Sequence, residues 1–181
     1  HLAYNLPMAR DPSPSILEAW PAVSEETLGR YRIFSLARTV RTSPTTGRSH
    51  TFLRLDAPDW VNVLALTEEG ELVLVDQYRH GTDRVTVEIP GGAVDPGEAP
   101  REAAARELEE ETGYRARELL EIGVVEPNPA FLSNRCFTFL ALGCRPGGDP
   151  RPDPTEEIAV RTVTVGSFVD LVDEGVIDHA L

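Results

Sequence analysis

The chain has 181 residues, of which 41% are hydrophobic, so it can bury a full core and is most simply one domain. Its 30 acidic and 17 basic residues give a formal net charge of -13, which argues against nucleic-acid polymers and anionic membranes as partners. No apolar run approaches the roughly 18 residues of a membrane span and no signal-peptide pattern is found, so we expect a cytoplasmic protein.

Strand patterns dominate the first half of the chain. Residues 1–28 are proline-rich and weakly patterned, whereas the segments that follow alternate or form short β-rich apolar runs bounded by turn residues. Glu69 and Gly70 join two of these runs in a hairpin. The predicted strands are, in chain order, residues 31–42, 49–55, 60–67, 71–78 and 85–89.

A helix is predicted next, from about residue 99 to residue 112. Pro100 suits its first turn, and Gly113 suits its C-terminal cap. At about 100° per residue, three glutamates at i, i+3 and i+4 share one face with a small alanine, and an apolar stripe adjoins that face. The glutamate face comprises Ala103, Glu107, Glu110 and Glu111, and the inward stripe comprises Ala104, Ala105, Leu108 and Thr112.

The second half of the chain continues the mixture of strands and helices. Strands are predicted at residues 122–126, 136–142 and 158–165, and a helix at about 166–174. The sequence has no internal repeat, so the prediction is a single mixed α/β domain over residues 1–181. Cys136 and Cys144 lack a C-x-x-C spacing and are predicted to be buried thiols.

The three glutamates on one helix face indicate a metal site. Carboxylates this close repel each other and destabilise the helix unless a positive charge lies among them. Mg²⁺ prefers oxygen ligands and is typically completed by substrate phosphate oxygens. The alternative is a solvated acidic face, but a solvated face does not require the glycines, Glu98 and Arg106 at their fixed spacing around it.

Residues 92–114, GAVDPGEAPREAAARELEEETGY, resemble a complete Nudix box. The resemblance implies an α/β/α sandwich with a mixed sheet, and a hydrolase of nucleoside diphosphates linked to another moiety that uses Mg²⁺ or Mn²⁺. By position, Glu107 and Glu111 would be the main metal ligands, and Glu110 a further ligand or the base for the attacking water. Three more residues are implied: Glu98 and Arg106, which would orient the ligands, and Gly91, whose carbonyl would be another ligand.

The flanks of the box are similar to those of ADP-ribose pyrophosphatases. The segment 75–92, VDQYRHGTDRVTVEIPGG, resembles a strand and loop whose arginine touches the diphosphate, so Arg79 would do so here, unless it is only a sheet-edge charge. Pro129 lies near the position of a proline under the substrate. The segment 153–160, DPTEEIAV, resembles a late acidic loop that supplies the general base, for which Glu156 and Glu157 are candidates, although they could also be a solvated loop pair.

The N-terminal strands, within about residues 1–56, look like the arm that ADP-ribose pyrophosphatases exchange to form a homodimer. Residues from about 57 to 181 would then form the Nudix core. Arg54 falls near the position from which such an arm reaches the base or the phosphates, or else it is an exposed strand arginine.

One departure bears on the substrate. ADP-ribose enzymes usually show S-P-G-F-x-x-E after the box, whereas this chain has NPAFLSN and lacks the acid at Asn134. The favoured reaction is therefore the hydrolysis of ADP-ribose to AMP and ribose 5-phosphate. Sugar nucleotides such as GDP-mannose, or dinucleotides, are the alternative substrates. A second hypothesis is a non-catalytic Nudix-like module that binds a nucleotide as a regulator.

Overall fold

The computed structural model describes residues 17–179, and the mixed α/β fold predicted from the sequence is confirmed. Among these residues, no helix is long and apolar enough to cross a membrane. The strands are β1 (Ala22–Arg30), β2 (Ser35–Thr42), β3 (Ser49–Asp56), β4 (Trp60–Thr67), β5 (Glu71–Arg79), β6 (Arg84–Glu88), β7 (Gly91–Ala93), β8 (Tyr114–Arg115), β9 (Glu118–Val125), β10 (Cys136–Pro146) and β11 (Ile158–Thr164). The helices are α1 (Pro100–Thr112) and α2 (Val165–Asp173).

The first three strands form an antiparallel sheet of their own in the order β1-β2-β3, which we call the arm. Most of strand β1 lies within residues 1–28, for which the sequence pattern predicts no strand. The pattern missed it because nearly every residue of β1 is exposed, so no apolar alternation marks it. The strand predicted from residue 31 begins instead at Ser35, because a turn precedes it in which the Tyr31 N–H donates to the Phe34 carbonyl at 2.8 Å.

The other eight strands form one mixed sheet, whose centre positions the acidic helix. Strands β4 and β10 pair in parallel, and β5 and β9 flank them in antiparallel pairs. Side chains of β4 alternate in burial, and Val61, Val63 and Ala65 are fully buried on the face that packs in the core with α1. The predicted hairpin of β4 and β5 is confirmed.

Helix α1 has the predicted ends, but the side of the helix that is buried differs from the prediction. It begins at Pro100 and ends at Thr112, and the cap residue Gly113 has a φ of +73°. Ala105, predicted to face inward, is exposed, and Ala103, predicted to leave room beside the glutamates, is fully buried in the core. The buried side of the helix therefore includes part of the acidic face, and the side chain of Glu111 is buried together with Ala103.

The loop that follows β10 closes the C-terminal end of α1. The Gly147 N–H donates to the Gly113 carbonyl at 2.7 Å, and the Arg151 N–H donates to the Glu110 carbonyl at 2.6 Å. These bonds satisfy carbonyls that the last helical turn leaves without partners. A side chain at Gly113 would place its Cβ 2.3 Å from the Gly148 carbonyl oxygen, so the contact also requires glycine there.

Strands β9 and β10 are longer than predicted, and both cysteines are buried. Strand β9 begins at Glu118 rather than at residue 122, because its exposed glutamates interrupt the apolar run, and β10 extends past residue 142 to Pro146. Cys136 and Cys144 are free and buried, as predicted. Burial raises the pKa of both thiols.

Candidate active site

Glu111 is the most buried acid of the helix face, with 3% of its surface exposed. Its Oε2 accepts a hydrogen bond from the Gly91 N–H at 3.0 Å, which ties α1 to the loop before the box. Burial first, and then the negative charges of Glu107 and Glu156, raise the pKa of Glu111 to about 8. Burial and the neighbouring acids therefore disfavour the ionised form of Glu111.

Glu107 lies against the backbone of the same loop. A Cβ at Gly92 would stand 2.5 Å from the Glu107 carboxylate, so the first glycine of the box allows the loop to approach this acid. Burial raises the pKa of Glu107, and the charges of Glu110 and Glu156 raise it further, against the lowering effect of Arg106.

Arg106 connects the acids of the box. Its Nε and Nη2 donate to the two oxygens of Glu98, each at 2.9 Å, and its Nη1 donates to Glu107 at 2.8 Å and to Glu110 at 3.1 Å. The paired bond with Glu98 is the main cause that raises the pKa of Arg106. A guanidinium held from one side by Glu98 fixes the direction from which it contacts Glu107 and Glu110.

These residues suit a hard divalent cation by their chemistry. Glu107 and Glu111 are both turned away from bulk solvent, and the charge of Glu107 helps to raise the pKa of Glu111, which a cation between them would reverse. Carboxylates and backbone carbonyls are the oxygen ligands that Mg²⁺ and Mn²⁺ take. Across residues 17–179, no three acidic, histidine or cysteine side chains already lie in a cation-binding arrangement.

Arg79, at the end of β5, is paired with Glu88, a residue that sequence reasoning missed. Arg79 Nε and Nη2 donate to the two carboxylate oxygens of Glu88 at 2.9 and 2.6 Å, across the β5–β6 hairpin. This bond first, and then the charges of Glu88, Glu111 and Glu156, raise the pKa of Arg79 above its ordinary value despite burial. The signal available in the sequence was an acid at the end of a β-branched strand segment, nine residues after an arginine.

The late acidic loop contributes one of its two candidate acids. Glu156 is half-buried, and its charge raises the pKa of both Glu107 and Glu111 and that of Arg79. Glu157 is exposed, and it is not among the main groups that shift these three pKa values. The structure therefore brings Glu156 near the acidic face of α1.

Arg54 and Pro129 meet elsewhere, in a cavity of about 270 Å³ between the arm and the loop that follows β9. Arg54 donates to Asp56 at 2.7 Å and to Glu25 at 2.9 Å, and these bonds raise its pKa. Within the described part of the chain the hydroxyl of Thr39, 4% exposed, has no hydrogen-bond partner. Three aromatic side chains line the cavity as well: Trp20, Phe52 and Phe131.

Backbone hydrogen bonds join the arm to the loop that follows β9 and so fix the two sides of the cavity relative to each other. The Leu55 N–H donates to the Phe131 carbonyl at 2.8 Å, and the Ser133 N–H donates to the Leu55 carbonyl at 3.2 Å. Asn134, where the sequence departs from the usual acid, is 2% exposed, and its amide has no partner among residues 17–179. The departure therefore lies beneath this loop rather than on its surface.

The mixed sheet, with its acidic helix entered through a glycine loop, defines a known class of protein. The sequence matches the NUDIX domain over residues 58–180, and the chain belongs to the Nudix family. A solved structure described as an ADP compounds hydrolase shares the fold with a TM-score of 0.79, over 92% of this chain and 89% of that one, at 24% identity.

Two relatives are similar in sequence. An ADP-ribose pyrophosphatase of Bacillus subtilis is 39% identical over 117 residues, which cover 64% of this chain and 63% of that protein. An ADP-ribose pyrophosphatase of Mycobacterium tuberculosis is 34% identical over 142 residues, which cover 78% of this chain and 67% of that protein. The chain thus spans slightly less than two thirds of the length of the Bacillus subtilis relative.

Proposed function

We propose that the protein is a metal-dependent pyrophosphohydrolase that cleaves ADP-ribose to AMP and ribose 5-phosphate. The observation that carries the proposal is the pair of acids Glu107 and Glu111, both packed against the glycine loop before the helix, with the charge of Arg79 acting on Glu111. A diphosphate joined to carboxylates by divalent cations requires this combination of buried acids and an arginine. The two ADP-ribose pyrophosphatases at 34–39% identity support the choice of substrate.

The metal would be held by Glu107 and Glu111, together with Glu110 and the carbonyl of Gly91. A divalent cation bound there, Mg²⁺ or Mn²⁺, would neutralise charge on the diphosphate and lower the pKa of the attacking water. Arg106 and Glu98 orient two of these carboxylates through the bonds described above.

The side chains of the protein supply binding and proton transfer. Arg79 binds the diphosphate with its Nη1, which has no hydrogen-bond partner among residues 17–179, while Nε and Nη2 remain on Glu88. Water attacks one phosphorus, the bond from that phosphorus to the bridging oxygen breaks, and the two phosphate monoesters leave. Glu156 accepts the proton of the attacking water, and Glu110 is the alternative base.

The base of the nucleotide would occupy the cavity between the arm and the loop after β9. Phe52 and Trp20 offer aromatic surfaces there, and Arg54 and Pro129 lie on its wall. Arg54, held by Glu25 and Asp56, is prevented from collapsing into the space.

A homodimer formed through the arm is part of the proposal. The arm exposes large apolar side chains that a single copy leaves uncovered, among them Val23, Ile33 and Leu53, at 62, 68 and 56% exposure. A cytoplasmic location also fits, because the two cysteines are unpaired and buried.

The test is a panel of substrates with a matched inactive variant. Phosphate released from products by a coupled phosphatase is measured for ADP-ribose, GDP-mannose, NADH, diadenosine polyphosphates and nucleoside triphosphates, each with Mg²⁺, with Mn²⁺ and with EDTA. We expect cation-dependent turnover that is highest on ADP-ribose and absent in Glu111→Gln. Higher turnover of GDP-mannose or of a dinucleotide would replace the substrate, and binding without turnover of any compound would favour a regulatory module.

A further inference from the structure

The segment that follows α2, residues 174–179, turns back onto strand β6. Asp178 accepts hydrogen bonds from Arg84 Nη2 at 2.7 and 2.6 Å, at the start of that strand. The next residue, His179, places its Nδ1 3.6 Å from the Oε2 of Glu88, at the other end of the strand. The segment therefore reaches the acid that holds Arg79.

Glu88 is enclosed by groups that favour its ionised form. Its side chain is 3% exposed, and burial alone would raise its pKa. The bonds from Arg79 and from the hydroxyl of Thr86, together with the charge that His179 can carry, lower the pKa instead. The hydroxyl of Thr86 also lies 3.2 Å from the carbonyl of Gln77, which fixes it on the neighbouring strand.

We propose that Glu88 and His179 are positioning residues that hold the guanidinium of Arg79 ready for the diphosphate. This inference rests on the proposed function and adds to it two residues that touch neither the substrate nor the metal site. Arg79 bonded at both Nε and Nη2 has lost most of its freedom before a ligand arrives, so binding does not need to order it.

His179 acts on Oε2 of Glu88, the same carboxylate oxygen that accepts the bond from Arg79 Nη2. At 3.6 Å the Nδ1 of His179 is too far for a hydrogen bond, but the charge that this imidazole can carry favours the ionised carboxylate that holds Arg79. The bonds between Asp178 and Arg84 keep the segment in place, so the segment after α2 belongs functionally to the active site.

A double-mutant cycle on Glu88 and Arg79 tests the inference. The readouts are KM and kcat for ADP-ribose, and the Kd for an analogue with a methylene-bridged diphosphate, measured by calorimetry with Mg²⁺ present. Because a hydrogen bond to a charged group contributes about 1.5–3 kcal/mol, Glu88→Gln should raise KM and Kd about tenfold, and Arg79→Ala about a hundredfold. In both cases kcat should change by less than about threefold.

The decisive result is the double variant. If Glu88 acts through Arg79, adding Glu88→Gln to Arg79→Ala should raise Kd by less than about twofold, because the partner it positions is already gone. Multiplicative effects on Kd would overturn the inference and make Glu88 a stabilising residue only. His179→Ala, which lies outside the core, should raise KM and Kd about threefold, and an unchanged Kd would remove His179 from the arrangement.

A control and the wild-type result separate this inference from the proposed function. Glu26→Gln makes the same change in an exposed arginine pair of the arm, that of Arg38, and should leave KM and Kd unchanged. Wild-type protein that binds the analogue but does not hydrolyse ADP-ribose would contradict the function while the cycle on Kd still decides the inference. Failure of wild-type protein to bind the analogue would contradict both.

Discussion

The arm and the eight-stranded sheet are stabilised differently. Strand β4 of the large sheet alternates buried and half-buried residues over a core shared with α1. Strand β1 of the arm is exposed along nearly its whole length, and its contacts include ion pairs such as Glu25 with Arg54. Burial stabilises the large sheet by about 25 cal/mol per Å² of apolar surface, whereas exposed ion pairs contribute at most about 1 kcal/mol each.

This difference separates the tasks of the two regions. The core between the large sheet and α1 is stable enough to tolerate a group whose burial is unfavourable, such as the carboxyl of Glu111. The arm provides surfaces, among them the aromatic wall of the cavity, and leaves apolar area to be covered. Changes at the acidic helix and its glycine loop should therefore strongly affect turnover or stability, and changes in the arm should mainly affect substrate binding.

Glu111→Gln is expected to have the largest effect. It removes a carboxylate proposed to hold the metal, so kcat/KM for ADP-ribose should fall by about three orders of magnitude or more, as measured with saturating Mg²⁺. The fold should survive because the amide is the same size and a buried charge is lost. A circular dichroism spectrum and melting curve serve as the control, and wild-type turnover would rule out Glu111 as a ligand.

Gly91→Ala should have the largest effect on stability. Its Cβ would lie 2.2 Å from the Val61 carbonyl oxygen, which is backbone and cannot move aside without disturbing the β4–β7 pairing. We expect the free energy of unfolding to fall by about 3 kcal/mol, as measured by urea denaturation. Gly123→Ala is the matched control, because a Cβ there has open space, and it should cost far less. Equal costs would contradict the close approach.

The metal-free protein should lose stability as the pH rises. Folded protein keeps the proton of Glu111 up to its pKa of about 8, whereas the unfolded chain releases it near the ordinary value of 4.5. Between these values the folded state binds more protons than the unfolded chain. The stability that the proton of Glu111 contributes is therefore fully present below about pH 4.5 and is lost as the pH rises to about 8.

The contribution of Glu111 should be on the order of a few kcal/mol and should be visible in melting curves recorded in EDTA. Glu111→Gln carries no titrating group at this position and should show a smaller decline over the same range. A decline of the same size in both proteins would assign it to other groups. Saturating Mg²⁺ should flatten the wild-type curve, because a bound cation favours the ionised carboxylate.

The smallest effect is expected in the arm. Arg54→Ala removes a side chain from the wall of the cavity, so KM for ADP-ribose should rise about tenfold while kcat stays within about twofold. Arg38→Ala, an arm arginine that does not line the cavity, should leave KM unchanged. A fall in kcat with constant KM would indicate that Arg54 contacts the reacting phosphates and not the base.

The sequence predicted the parts of the fold that local chemistry determines. Pro100 and Gly113 marked the ends of α1, and the β4–β5 hairpin followed from two apolar runs and a turn. Strand β1 could not be predicted because it buries too little to show a period. The prediction that Ala105 faces inward was wrong, because the large sheet, and not the helix itself, decides which side of α1 is buried.

The candidate site was predicted in part for a similar reason. The residues of the box are close in sequence, and its resemblance to a Nudix box implied that Glu98 and Arg106 lie beside the glutamates, where Arg106 bonds to Glu98, Glu107 and Glu110. The pairing of Arg79 with Glu88 depends on a hairpin register, and the choice of Glu156 over Glu157 depends on how a distant loop folds onto α1. A local sequence pattern contains neither of these two pieces of information. That the chain forms a single domain stays a prediction.

Two backbone hydrogen bonds join the loop after β10 to the end of α1. They divide the loop into a part whose length is fixed by the helix and a part that another sequence could replace. Residues 147–151 are tied at both ends to Gly113 and Glu110, so their number is set by the helix. Beyond residue 151 the loop is free of this constraint until β11 begins at Ile158. A chimera joined at residue 151 can therefore carry the acidic loop of another Nudix protein without altering the helix that holds the glutamates.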